Sequence, residues 1–312
     1  MSQSHPIMHF VYHTSEALNN KKHSIAIFCD LKKAFDSCDH KILINKLSKY
    51  GVAGTELHWF KSYLNYRQQF VEINGVPSTL QTIILGVPQG SILGPLLFLI
   101  YINDLPNASN FLSLLFADDT TLLLSHHNLQ QLIDTANIEF QKICEYFRIN
   151  KLALHQGKTN YILITNTKVH VPIHIYCNNN NDENHNPRLI TEISQITNDS
   201  DIPAAKFLGV FLDPQLNFRY HIDSVRKRLS QALYSLRLAK NLLNTSSLIL
   251  LYHSLFHCHL IYALPIWSCT SSSILSQVFT MQKNAIRTIN NVKYNAHTDP
   301  CSNLMRFFHS LT

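Results

Sequence analysis

The strongest pattern along the chain is a pair of short apolar runs, residues 112–115 (LSLL) and 120–124 (TTLLL), separated by the polar pair Asp118-Asp119. Short apolar runs on either side of a polar break predict two buried strands joined by a tight turn. Two ionised carboxylates at the end of such a hairpin cost free energy unless a positive charge pairs with them, and their repulsion raises one pKa. A divalent cation removes both problems, and Mg²⁺ prefers hard oxygen ligands of this kind.

A second apolar run, residues 25–29 (IAIFC), ends at Asp30 and also predicts a buried strand. If this strand pairs beside the hairpin, Asp30 lies at the same sheet end as Asp118 and Asp119. Three carboxylates there can hold two Mg²⁺ ions, with Mn²⁺ as an alternative, and such ion pairs promote in-line phosphoryl displacement. The structural alternative is that Asp30 caps a helix and the Asp118-Asp119 pair forms a polar turn, since Asp is a common turn residue.

Other local signals predict a mixture of helices and hairpins. Asp39 is a candidate helix cap, with a helix through Tyr50 that Gly51 terminates, and Thr55 is a candidate cap for a helix through Tyr66. Asn-Gly at residues 74–75 predicts a hairpin turn.

The apolar run at residues 92–102 predicts a buried helix that is too short for a membrane span. Residues 178–203 are rich in Asn, Asp and Ser and predict a mobile loop. Apolar residues then recur at helical spacing over residues 222–239, and two further helical stretches are predicted at 246–263 and 273–290. The predicted fold class is α+β.

Composition adds few constraints. The chain has 312 residues and is 46% apolar, which suits a sizeable core or two adjoining domains. The net charge of +6 is compatible with nucleic-acid binding without being diagnostic. Seven cysteines, an odd number without a Cys-x-x-Cys pair, favour a reducing compartment, and the N-terminus shows no signal-peptide pattern. Which intracellular compartment, nuclear or cytoplasmic, an expressed chain would occupy is left open by these features.

Three long segments, in order, resemble the motifs of one enzyme family. Residues 30–40 (DLKKAFDSCDH) resemble motif A, residues 86–98 (GVPQGSILGPLLF) motif B, and residues 116–119 (FADD) motif C of non-LTR (LINE-type) retrotransposon reverse transcriptases. The resemblance extends from about residue 23 to about residue 300. It implies a reverse-transcriptase palm with partial fingers, followed by a helical thumb.

The resemblance also implies roles for the matching residues. Asp30, Asp118 and Asp119 are the expected catalytic metal ligands for two Mg²⁺ ions. Phe35 matches a bulky residue beneath the sugar that excludes the ribose 2′-OH, although it can equally be a core residue. Gln89 and Gly90, together with Phe35, are the expected nucleotide-binding residues.

Two later segments complete the set of motifs. Residues 149–159 (INKLALHQGKT) resemble motif D, in which Lys158 matches a lysine proposed to protonate the departing pyrophosphate. The alternative for Lys158 is an ordinary surface lysine, since exposed Lys is common. Residues 206–213 (KFLGVFLD) resemble motif E, the hairpin that grips the primer end.

The region after motif E resembles the thumb of the same family. Arg226, Lys227 and Arg237 lie off its apolar stripe and are the expected contacts for template–primer phosphates. The alternative is an ordinary solvated helix face.

Two histidine-rich groups offer a competing interpretation as zinc sites. One is His5, His9 and His13, and the other is the group formed by residues 253, 257, 258 and 259. Structural zinc requires four convergent ligands, and neither group has a visible second half.

The resulting expectation is a domain at residues 1–213 that contains motifs A to E with truncated fingers, a thumb-like domain at 214–295 and a truncated tail at 296–312. The expected function is RNA-directed DNA polymerisation with an RNA template, a DNA primer and a dNTP, and without a membrane. The alternative is an inactive nucleic-acid-binding remnant, and an RNA-dependent RNA polymerase fits Phe35 poorly. Few basic residues precede Asp30. The chain is therefore expected to be a fragment that lacks fingers and endonuclease regions of a longer retroelement protein and that extends a primer poorly by itself.

Overall fold

The computed structural model describes residues 4–167, 174–179, 189–192, 194–196 and 204–293. The chain divides in sequence into two compact units, residues 1–208 and 209–312. None of the described helices is both long enough and apolar enough to cross a membrane.

The first unit contains both helices and strands. Its α-helices are α1 (Ser4–Asn19), α2 (His40–Lys49), α3 (Gly54–Leu64), α4 (Leu93–Ile102) and α5 (Leu129–Ile149), with 3₁₀ turns at Ala34–Ser37 and Leu105–Ala108. Its strands are β1 (His23–Cys29), β2 (Leu31–Lys32), β3 (Gln68–Gln69), β4 (Glu72–Ile73), β5 (Val76–Pro77), β6 (Gln81–Thr82), β7 (Leu112–Phe116), β8 (Asp119–His126), β9 (Ala153–Leu154), β10 (Asn160–Ile164), β11 (Tyr176–Asn179), β12 (Leu189–Glu192), β13 (Ser194–Gln195) and β14 (Ala205–Phe207).

A five-stranded sheet of order β13-β10-β1-β8-β7 forms the centre of this unit. Strand β1 is antiparallel to both β8 and β10, and it is apolar on both faces because both faces are covered. Ile25 and Ile27 join a core that includes Phe140 of α5. Side chains alternate along a strand, so Phe28 points to the other face, where its ring lies 6.0 Å from that of Phe10 in α1. The apolar run that predicted β1 therefore gives the central strand.

Several predicted elements are confirmed. The runs that flank Asp118 and Asp119 form β7 and β8, paired as an antiparallel hairpin. Asp39 caps α2, since its Oδ1 accepts hydrogen bonds from the amides of Lys41 at 2.9 Å and Ile42 at 3.0 Å.

The hairpin predicted from the Asn-Gly pair is also confirmed. Asn74 and Gly75 have φ values of +52° and +80°, as a two-residue turn of type I′ requires, and they join β4 to β5. Strands β3 and β6 pair outside this turn, so the region forms an exposed ribbon.

Two predicted helix properties are wrong. Thr55 does not cap α3, because Ala53 occupies the N-cap without a side-chain hydrogen bond and Gly54 starts the helix. The helix ends at Leu64 rather than Tyr66, since Tyr66 adopts a left-handed φ of +59°.

The predicted buried helix at 92–102 is buried on one face only. Leu97 and Phe98 of α4 are fully buried, whereas Leu96 and Leu99 are 50% and 46% exposed and Ile92 is 95% exposed. The helix packs on α2, and its other side has no covering element among the described residues. An apolar run alone does not show how many faces of a helix are covered.

Most of the predicted loop at 178–203 lies outside the described residues. Where it is described, the loop prediction is wrong, because β12 and β13 lie within it. Strand β13 pairs in parallel with β10, opposite Asn160 and Tyr161, and thereby extends the sheet by one strand.

The second unit is mainly helical. It comprises β15 (Val210–Leu212), α6 (Arg219–Ala239), α7 (Thr245–Leu251), a π-helical turn (Tyr252–His257), α8 (Cys258–Ile261), α9 (Leu264–Trp267) and α10 (Ser272–Ile289). The predicted apolar stripe of α6 is confirmed, and its buried members are Ile222, Val225, Leu229, Ala232 and Leu236. The stretch predicted at 246–263 is helical as far as Ile261, and Ala263, with φ +52°, separates it from α9.

Candidate functional site

The register of the central sheet brings the predicted carboxylates to one edge. Cys29 and Thr120 are the last pair between β1 and β8, so the next residues outward on the two antiparallel strands are Asp30 and Asp119. Phe116 pairs with Asp119, which leaves Asp118 in the two-residue turn between them. The predicted placement of three carboxylates at one sheet end is confirmed.

The turn that carries Asp118 has an unusual backbone. Ala117 adopts a left-handed φ of +51°, a region in which residues other than glycine are uncommon. Positive φ at this position suits the twist of a tight hairpin, although it costs on the order of 1–2 kcal/mol for an L-residue. Conformations of this kind concentrate at functional sites, which agrees with the position of Ala117 beside two carboxylates.

The carboxylates interact electrostatically. Desolvation at the strand end raises the pKa of Asp119, and the negative charges of Asp118 and Asp30 raise it further, while Lys206 of β14 opposes them. An excess of negative charge on hard oxygen donors fits a divalent cation such as Mg²⁺. Within the described ranges no group of three or more His, Cys, Asp or Glu side chains already converges closely enough to hold a metal ion.

Lys158 lies beside this carboxylate group. Its Nζ is 3.5 Å from Oδ2 of Asp30, and its side chain is 67% exposed. The backbone explains the contact: the amide of His155 donates to the carbonyl of Asp30 at 2.7 Å, and the amide of Asp30 donates to Oγ1 of Thr159 at 3.3 Å. The segment that carries Lys158 is thus attached to the end of β1.

The segments matching motifs A and B are joined by backbone hydrogen bonds. The amide of Val87 donates to the carbonyl of Phe35, and that of Gly86 to Cys38, each at 2.8 Å. A Cβ on Gly86 would lie 2.8 Å from Cα of Asp36, so the close approach requires glycine. Gln89 extends the link, since its Nε2 donates to Oδ1 of Asp36 at 2.9 Å.

The other two predicted nucleotide-binding residues have different surroundings. Phe35 is half-buried, and its ring centroid lies 4.7 Å from that of Phe98, so it belongs to the core on one side. Gly90 is exposed with φ +83° and has open space at its Cβ position. Gly94 packs tightly against the carbonyl of Pro88, where a side chain would not fit.

An open cavity of about 730 Å³ lies next to these residues. It is lined by Asp36 and Gln89, and also by Lys33, Arg67 and Gln69, which were not predicted as site residues. One feature of the sequence could have indicated a functional role for Arg67: it is the only Lys or Arg between residues 61 and 142. Lys206 was likewise missed as an individual site residue, because nothing in its local sequence shows that it lies near Asp119.

The three predicted phosphate-binding cations lie on α6 in the second unit. Lys227 and Arg237 are exposed, whereas Arg226 is half-buried and its Nη1 donates to Oδ1 of Asp223 at 3.0 Å. Asp223 therefore neutralises part of the predicted basic face.

The histidine groups do not assemble a metal site in the described residues. The rings of His9 and His13 lie 6.0 Å apart, and those of His253 and His257 lie 5.1 Å apart in an edge-to-face arrangement. These distances describe packing between neighbouring helical turns.

The chain is similar in sequence to known RNA-directed DNA polymerases. Residues 1–212 match the profile of the family described as reverse transcriptase (RNA-dependent DNA polymerase). The chain is 28% identical over 302 residues to a Drosophila melanogaster protein named "Probable RNA-directed DNA polymerase from transposon BS", covering 90% of this chain and 30% of that protein.

Two further relatives come from the same organism. "Probable RNA-directed DNA polymerase from transposon X-element" is 28% identical, with 88% of this chain and 29% of the relative covered. "RNA-directed DNA polymerase from mobile element jockey" is 26% identical, with coverages of 95% and 31%. The chain therefore spans less than a third of the length of these curated relatives.

Proposed function

This chain belongs to the reverse transcriptase (RNA-dependent DNA polymerase) family, and from that premise we propose that it is the RNA-directed DNA polymerase domain of a non-LTR retrotransposon. In the proposed reaction a primer 3′-OH attacks the α-phosphate of a dNTP and pyrophosphate leaves. The observation that carries the proposal is the placement of Asp30, Asp118 and Asp119 at one end of the central sheet.

The two units correspond in this proposal to the parts of a polymerase. The unit built on the five-stranded sheet serves as the palm, with partial fingers contributed by the segments around the exposed ribbon. The helical second unit serves as the thumb. The support for this assignment is the element order and the match of motifs A to E along the chain.

Asp30, Asp118 and Asp119 would hold the divalent ions. Two bound Mg²⁺ ions supply charge stabilisation for both the attacking and the leaving oxygen of an in-line displacement. Mg²⁺ usually keeps several waters and substrate oxygens as ligands, so each ion needs only one or two of these carboxylates. Desolvation, and after it the charges of Asp118 and Asp30, raise the pKa of Asp119, and bound cations would offset both effects.

Lys158 and Lys206 would serve this centre as cations. Lys158 is placed beside Asp30, where its ammonium can donate a proton to the departing pyrophosphate. Lys206 acts on Asp119 electrostatically from β14, which carries the first part of motif E. Positioning and charge stabilisation account for most of phosphoryl-transfer catalysis, so both lysines would act through their location.

The nucleotide would bind where the segments of motifs A and B meet. Phe35 would restrict the space beneath the sugar, with its ring packed against that of Phe98. Gln89 and Gly90 would contact the incoming nucleotide and the template, with Gln89 oriented by Asp36. Lys33 and Arg67 add positive charge to the same cavity, where a triphosphate would need it.

The basic face of α6 would bind the template–primer through phosphates. Lys227 and Arg237 are free to do so at the surface, and Arg226 would first have to leave Asp223. Replacing all three with Ala should reduce the salt dependence of binding, because fewer counterions are released. An unchanged dependence would show that the nucleic acid lies elsewhere.

Primer extension on an RNA template with one dNTP withheld at a time tests the function. Incorporation that stops at the template position of the withheld nucleotide is the expected result. Tight binding of primer–template by a folded chain without any extension would instead identify a nucleic-acid-binding remnant.

A further inference from the structure

Helix α3 and the turn after it carry a column of stacked planar groups. The rings of Trp59 and Tyr63 are nearly parallel, at 12°, with centroids 5.4 Å apart. The guanidinium of Arg67 lies over Tyr63, 5.4 Å from its ring centroid. We call Trp59, Tyr63 and Arg67 the α3 column. Its order along the stack is guanidinium, phenol and indole.

A backbone turn produces the column. Trp59 and Tyr63 are four residues apart and therefore neighbours on one helix face. The helix ends at Leu64, and the left-handed φ of Tyr66, +59°, redirects the chain so that Arg67 returns over Tyr63. Tyr66 itself is 93% exposed.

The indole end of the column is exposed to solvent. Trp59 is 51% exposed, whereas Trp residues in proteins are highly buried on average. Tyr63 and Phe60 are half-buried and pack against the core, so the core already has its aromatic contacts from this helix without Trp59. The ring of Phe60 also meets the indole edge-on, with centroids 5.1 Å apart. The exposed half of the indole, beyond its contacts with Tyr63 and Phe60, offers aromatic surface to another flat group.

The guanidinium end of the column leads to the candidate nucleotide site. Arg67 lines the cavity that also contains Asp36, Gln89 and Lys33. Its charged lining residues are thus two cations and one acid, and the acid is engaged by Gln89 at 2.9 Å. This charge balance favours an anionic strand. The column therefore connects the cavity proposed for the incoming nucleotide with the exposed indole of Trp59.

We propose that the α3 column binds the unpaired stretch of the template RNA, with one base stacked on Trp59 before the strand enters the cavity. The proposal rests on the proposed function, since it requires a template. Every base has a planar face, so stacking on an indole is tolerant of sequence, as a template site must be. A duplex hides its base faces, so the column discriminates single-stranded from paired nucleic acid.

Trp59 can report its own occupancy. The chain contains two Trp residues, and the other, Trp267, is fully buried. Titrating the protein with single-stranded RNA should therefore quench tryptophan emission saturably through Trp59, and blunt duplex should quench it little. In Trp59→Phe the RNA-dependent change should disappear while the emission of Trp267 remains.

Binding measurements with two nucleic acids complete the test. Stacking is worth about 1–3 kcal/mol per base, so Trp59→Ala should weaken binding of a primer–template with a 5′ RNA overhang about 5- to 150-fold. Binding of the same duplex with blunt ends should stay unchanged. Tyr12→Ala, which removes an aromatic ring that is 62% exposed on α1, is the matched control and should change neither affinity. Both variants should keep the thermal midpoint of the parent.

The outcomes separate this inference from the proposed function. Normal binding and extension of primer–template, without quenching and with no effect of Trp59→Ala, would overturn the inference alone. Equal weakening of blunt and overhanging substrates would assign the column to duplex and also overturn it. Trp59 emission that changes with protein concentration and not with RNA would show that the column is a self-association face, and it would overturn the inference. Absence of any nucleic-acid binding by the folded chain would overturn both proposals.

Discussion

The ammonium of Lys158 lies 3.5 Å from Oδ2 of Asp30, so the segments matching motifs D and A meet at the end of β1. The two side chains are 67% and 39% exposed, and an exposed ion pair of this kind contributes at most about 1 kcal/mol to stability. Its significance is therefore positional: the pair places a proton donor beside one of the proposed metal ligands.

Replacing Lys158 with Met should slow the chemical step without destabilising the fold. A positioned acid contributes roughly 10²–10⁴-fold to rate, so single-turnover extension should fall by at least about 100-fold. Lys49→Met removes an exposed lysine of α2 and should leave the rate unchanged. Equal rates for the two variants would mean that Lys158 is only a surface lysine.

Phe35→Val should relax discrimination against ribonucleotides. Removing the ring opens space beneath the sugar, so the ratio of kcat/KM for dNTP over rNTP should fall by at least about tenfold. The variant should also lose stability, since the ring packs 4.7 Å from Phe98. Phe140→Val truncates a fully buried ring of α5 and should lower the thermal midpoint without altering the ratio. A ratio that moves equally in both variants would contradict the role of Phe35.

Two glycines with similar backbone angles provide a matched pair for the junction of motifs A and B. Gly86 has φ +88° and Gly51 has φ +92°, but a Cβ would meet Asp36 only at Gly86. Gly51→Ala should cost about 1 kcal/mol of unfolding free energy through its backbone angle alone, whereas Gly86→Ala should cost roughly 1–3 kcal/mol more. Thermal or urea unfolding checks the difference, and equal costs would show that the close approach is not maintained in solution.

The carboxylate of Asp39 should make the stability of the fold depend on pH in the acid range. Burial alone would raise the pKa of Asp39, but hydrogen bonds from Lys151 and from the amides of Ile42 and Lys41 outweigh it and hold the pKa below its usual value. A carboxylate with a depressed folded pKa contributes stability that is complete above its unfolded pKa and is lost as the pH falls through the folded value.

Asp39→Asn isolates that charge, because Asn retains an oxygen for the helix cap. The variant should be less stable than the parent at pH 7, and the difference should shrink as the pH falls below about 4. Urea unfolding at a series of pH values measures this difference. A gap that stays constant down to the acid limit would show that the Asp39 charge does not stabilise the fold.

Sequence patterns predicted those elements whose signals are local. Three examples are the strand before Asp30, the hairpin around Asp118 and the helix cap at Asp39. In each, the residues that predict the element lie within a few positions of one another. Thr55 failed as a cap because Ala53 and Gly54 already set the start of α3. The exposed face of α4 was missed because coverage depends on which other elements pack there.

The residues of the candidate site likewise fall into those that the sequence predicted and those that only the structure shows. The carboxylates and Gln89 were recognisable from motif resemblance, and strand pairing then explains how residues far apart in sequence meet. Arg67 and Lys206 were missed, because their proximity to the cavity and to Asp119 arises from the turn after α3 and from the position of β14. Contacts of this kind depend on tertiary structure and leave little trace in local sequence.

In the proposed function, Asp30 at the end of β1 and the Asp118-Asp119 pair of the hairpin catalyse nucleotidyl transfer to a primer on RNA. Its most direct test is single-turnover extension with Mg²⁺ by the parent chain, Asp118→Asn and Asp134→Asn, an exposed acid of α5. Removing a group that acts on the transferred phosphate should lower the rate of Asp118→Asn at least about 10³-fold with primer–template affinity retained, while Asp134→Asn should match the parent. Extension by Asp118→Asn at the parental rate would show that Asp118 does not take part in catalysis.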